Sequence, residues 1–306
     1  MLHQIVEIQE ENRHLSLERG FLNIRTKDEE IGKVALDDIA VLLISAQGAS
    51  ITKNIIVELS SRGAVTVLCG KNYEPVSIVY PVAGNYRHAG IIRTQIDASI
   101  PFQKQIWKQI VSRKLHNQAK SLLLCGNKPE AALLEHISKD VKSGDKDQRE
   151  GYGAKVYWQA LFGKDFIRDQ DGDGINALLN YGYAVMRSSM CRALCAAGLH
   201  PALGIHHQNM LNPFCLADDF FEIYRPIVDC IVYKLCENML FVLTPETKKT
   251  LIQALWIKMK TVEGYSPAFQ SMHYMASSFV KALKLRDADF EIPVWEGKNE
   301  KFSRIE

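Results

Sequence analysis

Apolar and polar residues alternate with a period of two through residues 14–26, HLSLERGFLNIRT, on either side of Gly20. Successive side chains of a strand point to opposite faces, and a central Gly supplies the turn, so this segment predicts a β-hairpin. Further strands are predicted over residues 32–36 (GKVAL) and in the continuous apolar run 39–44 (IAVLLI). The period then lengthens: Ile55, Ile56 and Leu59 fit one face of a short helix, with Ser50 or Thr52 as its cap and Gly63 as its stop. Compact strands follow at 64–68 and 76–80, the second ended by Pro81.

From about residue 90 the apolar spacing is helical. Residues 103–125 form a long amphipathic candidate with Lys and Arg along one side, and Pro129 opens another helix. A polar run (142–151) precedes a helix ended by Gly163, and the loop 168–174 precedes 176–198, which is apolar on most sides and reads as a central buried helix, with Asp173 as its cap. Helical patterns recur at 216–240, 246–261 and 274–285. The reading is α+β: a small β-rich domain over 1–85, a linker over 86–100, and a larger all-α domain over 101–306.

Composition narrows the class. Lys and Arg number 37 against 35 Asp and Glu, a net charge of +2, and 47% of residues are hydrophobic. These are globular values and exclude disordered, collagen-like and coiled-coil chains. No run reaches the ~18 apolar residues of a membrane span. The opening MLHQIVEIQEENRH carries acids where a signal peptide would be basic and then apolar. The expectation is a soluble, cytoplasmic protein without a membrane partner. Seven cysteines, an odd number in largely apolar surroundings, read as free thiols of a reducing compartment. Cys191 and Cys195 share a helix face but lack the two further soft ligands of a structural zinc.

Four segments carry candidate chemistry. Asp169-Gln170-Asp171-Gly172-Asp173-Gly174 opens like an EF-hand calcium loop, yet position 12, where a bidentate Glu is needed, is Asn180. Glu150 stands at a helix start, where an acid ordinarily just complements the dipole. His206 and His207 are adjacent, so at most one faces any given site, and imidazole is a common ligand of divalent metals. Asp219 and Glu222 are three apart on one helical turn, where two carboxylates repel unless a cation lies between them. A Glu, a His and an acidic pair are the ligand types that suit Mg²⁺ or Mn²⁺.

The block NALLNYGYA (176–184), followed by GLHPALGIHH (198–207) and LADDFFEIYRPIVD (216–229), resembles the central signature of the CRISPR-associated spacer-acquisition integrases, the Cas-one family. EGYGA (150–154) resembles the family's first catalytic block. The resemblance implies a β-rich dimerisation domain ahead of a helical catalytic domain, and a metal site of Glu, His and an acid. Glu150 matches the first position. The family spacing counted from Gly204 selects His207, with His206 as its neighbour. Glu222 and Asp219 both match acidic positions, and Glu222 is favoured as the ligand. The chain departs from the family in having Glu222-Ile223-Tyr224-Arg225-Pro226 where Glu-Pro-Phe-Arg-Pro is frequent. The doubled His and Asn212-Pro213-Phe214 are similar to the version in type II, Cas-nine-containing systems.

The implied reaction is attack of a DNA fragment's 3′-hydroxyl on a phosphodiester at a repeat boundary. The implied partners are double-stranded DNA (prespacer and repeat), a second copy of the chain, a Cas-two dimer, and Cas-nine with other type II adaptation proteins. DNA needs a basic surface, which a net charge of +2 permits only as a local patch. The candidates are Lys142, Lys146, Arg149, Lys155, Arg187 and Arg225, with His206 at the site's edge. The bland alternative for each is solvated surface. The rival functions are a non-catalytic DNA-binding scaffold, a generic metal-dependent nuclease, and a calcium-regulated helical protein.

Overall fold

In a computed structural model, which describes residues 4–70, 75–79, 81 and 88–297, the chain begins with strand β1 (Gln4–Ile8). The period-two segment then forms the expected hairpin, β2 (His14–Glu18) and β3 (Phe21–Arg25), with Leu17 opposite Leu22 and Leu15 opposite Ile24. Next come β4 (Glu30–Ala35), β5 (Ile39–Ile44), a short β6 (Ser50–Ile51), helix α1 (Lys53–Ser61), β7 (Val65–Cys69) and β8 (Pro75–Val79). Thr52 takes the N-cap position of α1, although its side chain makes no capping bond.

Two four-stranded sheets result, β4-β3-β2-β6 and β1-β5-β7-β8. The apolar run of β5 has a direct cause: it pairs in parallel with β1 and β7 and is buried on both faces. Leu42 and Ile44 join Leu15, Leu22, Ile55 and Leu59 in a small core. Val41 and Leu43 join Val65 and Val67 in a large one that continues into the helices.

The remainder is mostly helical: α2 (His88–Ile96), α3 (Ile100–Leu124), α4 (Lys128–Lys139), α5 (Arg149–Phe162), α6 (Ile175–Ala196), α7 (Cys215–Phe221), α8 (Arg225–Glu237), α9 (Pro245–Ile252) and α10 (Ala268–Leu285). Ser99 caps α3, its hydroxyl accepting from the Phe102 amide at 3.4 Å. Helix α6 is buried along almost its whole length and packs against α7, α8, α9 and α10, the central role its composition predicts. All seven cysteines are free thiols, and four of them are buried.

The structure differs from the sequence reading in four places. The boundary at 85 lies outside the described residues, and the stretch read as a linker contains α2, whose Ile91 is buried in the large core. The helical region is not all-α. The 246–261 pattern ends as a helix at Ile252, and β9 (Lys258–Thr261), β10 (Gly264–Pro267) and β11 (Val294–Trp295) form an antiparallel sheet in the order β10-β9-β11. Met259 and Thr261 turn inward while Lys258 and Lys260 face solvent, a period of two too short to stand out beside a helix. The 216–240 pattern breaks between α7 and α8, where Pro226 has no amide hydrogen to continue a ladder. Asp173 does not cap α6; Gly174 takes that position with φ +62°.

Gly153 sets how closely α5 approaches α3, because a Cβ there would lie 2.2 Å from Leu115 Cδ2. Gly153→Ala therefore overpacks this contact. The expected loss is about 1–3 kcal/mol, read from the denaturation midpoint.

Candidate active site

Glu150 is placed by the start of α5. The Asp145 carboxylate accepts the amides of Arg149 (2.9 Å) and Glu150 (3.0 Å), satisfying two of the helix's unpaired N–H groups. Gln148, in the left-handed region at φ 53°, turns the chain into the helix. Glu222 sits at the break between α7 and α8, and Asn117 of α3 holds that break by donating to the Ile223 carbonyl at 2.7 Å. Both carboxylates meet one ammonium: Lys114 Nζ of α3 lies 2.7 Å from Glu150 Oε1 and 2.6 Å from Glu222 Oε2. Arg225 Nε adds a contact of 3.0 Å to Glu222 Oε1.

Burial is graded across the site. The side chains of Asp219, Glu222, Lys114, Glu150 and His207 are 0%, 7%, 11%, 26% and 41% exposed. The site is thus deep at its acidic end and open at the imidazole. Burial would raise the Glu222 carboxyl, but Arg225 and Lys114 hold it down at about 2. Burial likewise pulls the Lys114 ammonium down, and Glu222 and Glu150 overcome it, so Lys114 stays charged above its ordinary range.

The histidine loop wraps around Asp219. One carboxylate oxygen accepts the amides of Ile205 (2.5 Å) and His206 (3.0 Å). The other accepts the His207 amide (3.1 Å) and lies 2.6 Å from His207 Nδ1. Gly204 permits the wrap, since a Cβ there would fall 2.2 Å from the His207 carbonyl. The bond to Asp219 raises the His207 pKa against its partial burial. Asp219 therefore stands behind His207, with both oxygens engaged. That bond leaves Nε2 as the nitrogen for an outside partner, the usual arrangement of a carboxylate-oriented metal histidine. His206 stacks on Trp107, with ring centroids 4.1 Å apart and planes at 3°.

The donor set fits a divalent ion: two carboxylates, Glu150 and Glu222, that converge on one buried cation position, plus one imidazole nitrogen. As the side chains stand, Lys114 takes the place between the acids. Among the described residues no three His, Cys, Asp or Glu side chains form a ready coordination cluster. Lys114, at the centre of this arrangement, is the residue that the sequence reading missed. Its signal was a lone Lys on the apolar face made by Ile110, Val111 and Leu115.

Most of the proposed DNA-contacting cations are already paired. Lys142 meets Asp147 (2.7 Å), Arg149 meets Asp140 (2.5 Å), and Arg187 meets Asp218 (2.7 Å). Arg225 packs over the rings of Tyr183 (4.8 Å) and Phe221 (4.7 Å) as well as against Glu222, a structural setting that takes it off the surface patch. Lys146 and Lys155 are exposed. The 169–174 loop is tied to α6 by side-chain hydrogen bonds. Asn180, at the would-be position 12, donates to the Gln170 carbonyl (2.6 Å) and accepts from Arg168 (2.5 Å).

Behind the site, Asp229 is buried and accepts the hydroxyls of Tyr157 (3.0 Å) and Tyr183. Burial pushes its carboxyl up to about 7, against the pull of the two tyrosines. An unfolded Asp releases its proton near pH 4. Between the two values the folded state binds more proton, so this group's stabilising contribution is complete in acid and is lost as pH rises toward 7. Asp229→Asn should flatten the stability profile over that window by about 4 kcal/mol, measured by denaturant unfolding at several pH values.

Comparison with known proteins places the chain in a family. The family model of CRISPR associated protein Cas1 matches residues 6–258. A CRISPR-associated endonuclease Cas1 of Neisseria meningitidis is 38% identical over 267 residues, covering 87% of each chain. One from Francisella tularensis subsp. novicida is 29% identical over 269 residues, covering 78% of this chain and 80% of its own. Among solved structures, a casposase bound to integration product superposes with a TM-score of 0.79 at 19% identity, over 99% of this chain and 96% of that one. A CAS1 protein from Thermotoga maritima gives 0.77 at 17% identity, over 94% and 99%. No helix of the described residues is long and apolar enough to cross a membrane. The family match runs through Lys114, Glu150, His207 and Glu222, and the chain belongs to the CRISPR associated protein Cas1 family, the nucleases and integrases of CRISPR adaptation.

Proposed function

We propose that this chain is a metal-dependent DNA integrase and endonuclease that inserts new spacers into a CRISPR repeat array. The observation that carries the reading is the meeting of Glu150 and Glu222, from separate helices, at one buried cation position beside an imidazole oriented by Asp219. Glu150, Glu222 and His207 Nε2 would hold Mg²⁺ or Mn²⁺. When bound, the ion lowers the pKa of the attacking 3′-hydroxyl and offsets charge on the phosphate oxygens.

The chain's own residues define the rest. Asp219 fixes the His207 tautomer and ring direction. Arg225 keeps Glu222 ionised. The graded burial presents a phosphodiester only from the imidazole side. The exchange is one ester for another, so a nucleophilic side chain is not required, and water in place of the hydroxyl gives hydrolysis. A solved Cas6-RT-Cas1–Cas2 complex and a TtCas1–DNA complex share the fold. With them in view, the proposed partners are prespacer and repeat DNA, a second copy of the chain and a Cas-two dimer. The doubled His and Asn212-Pro213-Phe214 extend the proposal to type II systems and Cas-nine.

The test is a strand-transfer assay with the full chain, its Cas-two partner, a labelled duplex with free 3′-hydroxyls and a supercoiled plasmid carrying a repeat. Runs with Mg²⁺, Mn²⁺ or EDTA are compared for wild type, His207→Ala and His206→Ala. Joining that needs metal, falls at least about 10²-fold in His207→Ala and survives in His206→Ala is the expected result. Binding without joining or cutting under any metal would establish the scaffold reading, and cutting without joining the plain nuclease.

A further inference from the structure

Between His207 and α7 the chain makes a tight turn, Asn209-Met210-Leu211-Asn212, closed by the Asn212 amide donating to the Asn209 carbonyl at 3.0 Å. Its two central residues are apolar and stand in solvent: Met210 is 100% exposed and Leu211 91%. No other adjacent pair of large apolar side chains among the described residues is as exposed. A single exposed apolar residue is ordinary. This pair differs because the turn beneath it is pinned. Asn209 Oδ1 accepts the Leu211 amide (2.9 Å), and Asn212 Oδ1 accepts the Phe214 amide (2.9 Å). Asn212 Nδ2 donates to Asp218 Oδ2 (2.8 Å), and Asp218 in turn meets Arg187. The single S–H of Cys215 is within reach of the Asn209 (3.5 Å) and Asn212 (3.3 Å) carbonyls. A loose turn would fold its apolar side chains back onto the surface; these bonds hold the tip outward.

Position identifies what the tip meets. Met210 is three residues from His207, so an extended chain carries it no more than about 10 Å away. That spans about three base-pair steps of a duplex, at ~3.4 Å of helix axis each. The bases next to a phosphodiester held at His207 are thus within reach of this tip. Met and Leu are among the side chains that enter a base step as apolar wedges and unstack it. We propose that Met210 and Leu211 form a wedge that opens the base stack beside the phosphodiester held at His207. The inference rests on the integrase reading above. The shared chemistry is a stacked base step, supplied either by the 3′ end of the captured fragment or by the repeat boundary.

The experiment places 2-aminopurine, which brightens on unstacking, beside the fragment's 3′ end in one arm and beside the target phosphodiester in the other. The full chain with its Cas-two partner is titrated onto each duplex, and joining is assayed in parallel. The expected result is a several-fold fluorescence rise in one arm, which assigns the DNA. The double variant Met210→Ser/Leu211→Ser, at solvent-exposed positions and with an unchanged melting temperature, loses the rise. It joins at least tenfold more slowly on paired DNA and regains the rate when a mismatch opens that step beforehand. A merely structural tip would show no such rescue. Joining by the wild type with no rise in either arm, or a variant that keeps the rise, overturns the wedge alone. A wild type that neither joins nor cuts DNA overturns the integrase reading and the wedge with it.

Discussion

Lys114→Met lowers the stability of the metal-free protein by about 3 kcal/mol, and Mn²⁺ returns more of that stability to the variant than it adds to the wild type. The ammonium now lies within 2.7 Å of two carboxylates. Methionine matches its length and leaves Glu150 and Glu222 facing each other without the charge between them. Removing one member of a buried ionic set costs about 3–5 kcal/mol. The low end applies because Glu222 keeps Arg225 and Glu150 is partly solvated. About 3 kcal/mol is roughly a hundredfold in the folded-to-unfolded ratio. An ion that binds only the folded state adds stability as RT ln(1 + [L]/Kd). At the proposed site of the wild type an ion would have to displace the ammonium from the same carboxylates, so removing Lys114 is expected to tighten its binding. Denaturant unfolding in EDTA and in Mn²⁺ checks both halves. Equal stability of the two proteins in EDTA, or equal gains from Mn²⁺, would show that Lys114 and the ion do not share a position.

Asp219→Asn reduces joining by at least 10²-fold, and toward about 10⁴-fold if the ring is held wholly in the wrong tautomer. An amide offers one acceptor oxygen where the carboxylate has two. Aimed at Ile205 and His206, that oxygen keeps two amides satisfied and turns the NH₂ toward His207. The NH₂ then donates to Nδ1, which places the ring proton on Nε2, the nitrogen needed for the ion. The reverse orientation opposes the NH₂ to two amide donors, Ile205 and His206, and is the costlier one. The loss should appear in calorimetric Mn²⁺ affinity as well as in rate. A variant with normal affinity and rate would show that the Asp219–His207 bond is incidental.

The elements with a strong local signal form where the sequence expects them. The hairpin around Gly20, the buried strand β5, helix α1 ended by Gly63, and the long α3 and α6 follow from period, turn residues and caps. The β9-β10-β11 sheet did not declare itself, because strands of two to four residues hold too few positions to establish a period. The break between α7 and α8 depends on Asn117 reaching the Ile223 carbonyl from another helix, which no local pattern records. Among the candidate cations, spacing could name Arg225 as basic. Only packing shows it beneath the surface against Tyr183, Phe221 and Glu222.

For the site the division follows the range of the interactions. Residue type and motif spacing, read against a known family, single out Glu150, His207 and Glu222, because ligand chemistry is a property of side chains and spacing survives in the one-dimensional string. The roles around them are tertiary. Lys114 is a lone charge on an apolar helix face until α5 and the α7–α8 break bring two carboxylates to it. Asp219 is one more acid in an acidic turn until the 204–207 loop closes over it and converts a candidate ligand into the group that aims His207. Hydrogen bonds and ion pairs act over about 3 Å in space, whatever the separation along the chain. The sequence by itself therefore determined which side-chain types the proposed site contains, and the packing of α3, α5 and α7 decided which of them meet and which hold the others in place.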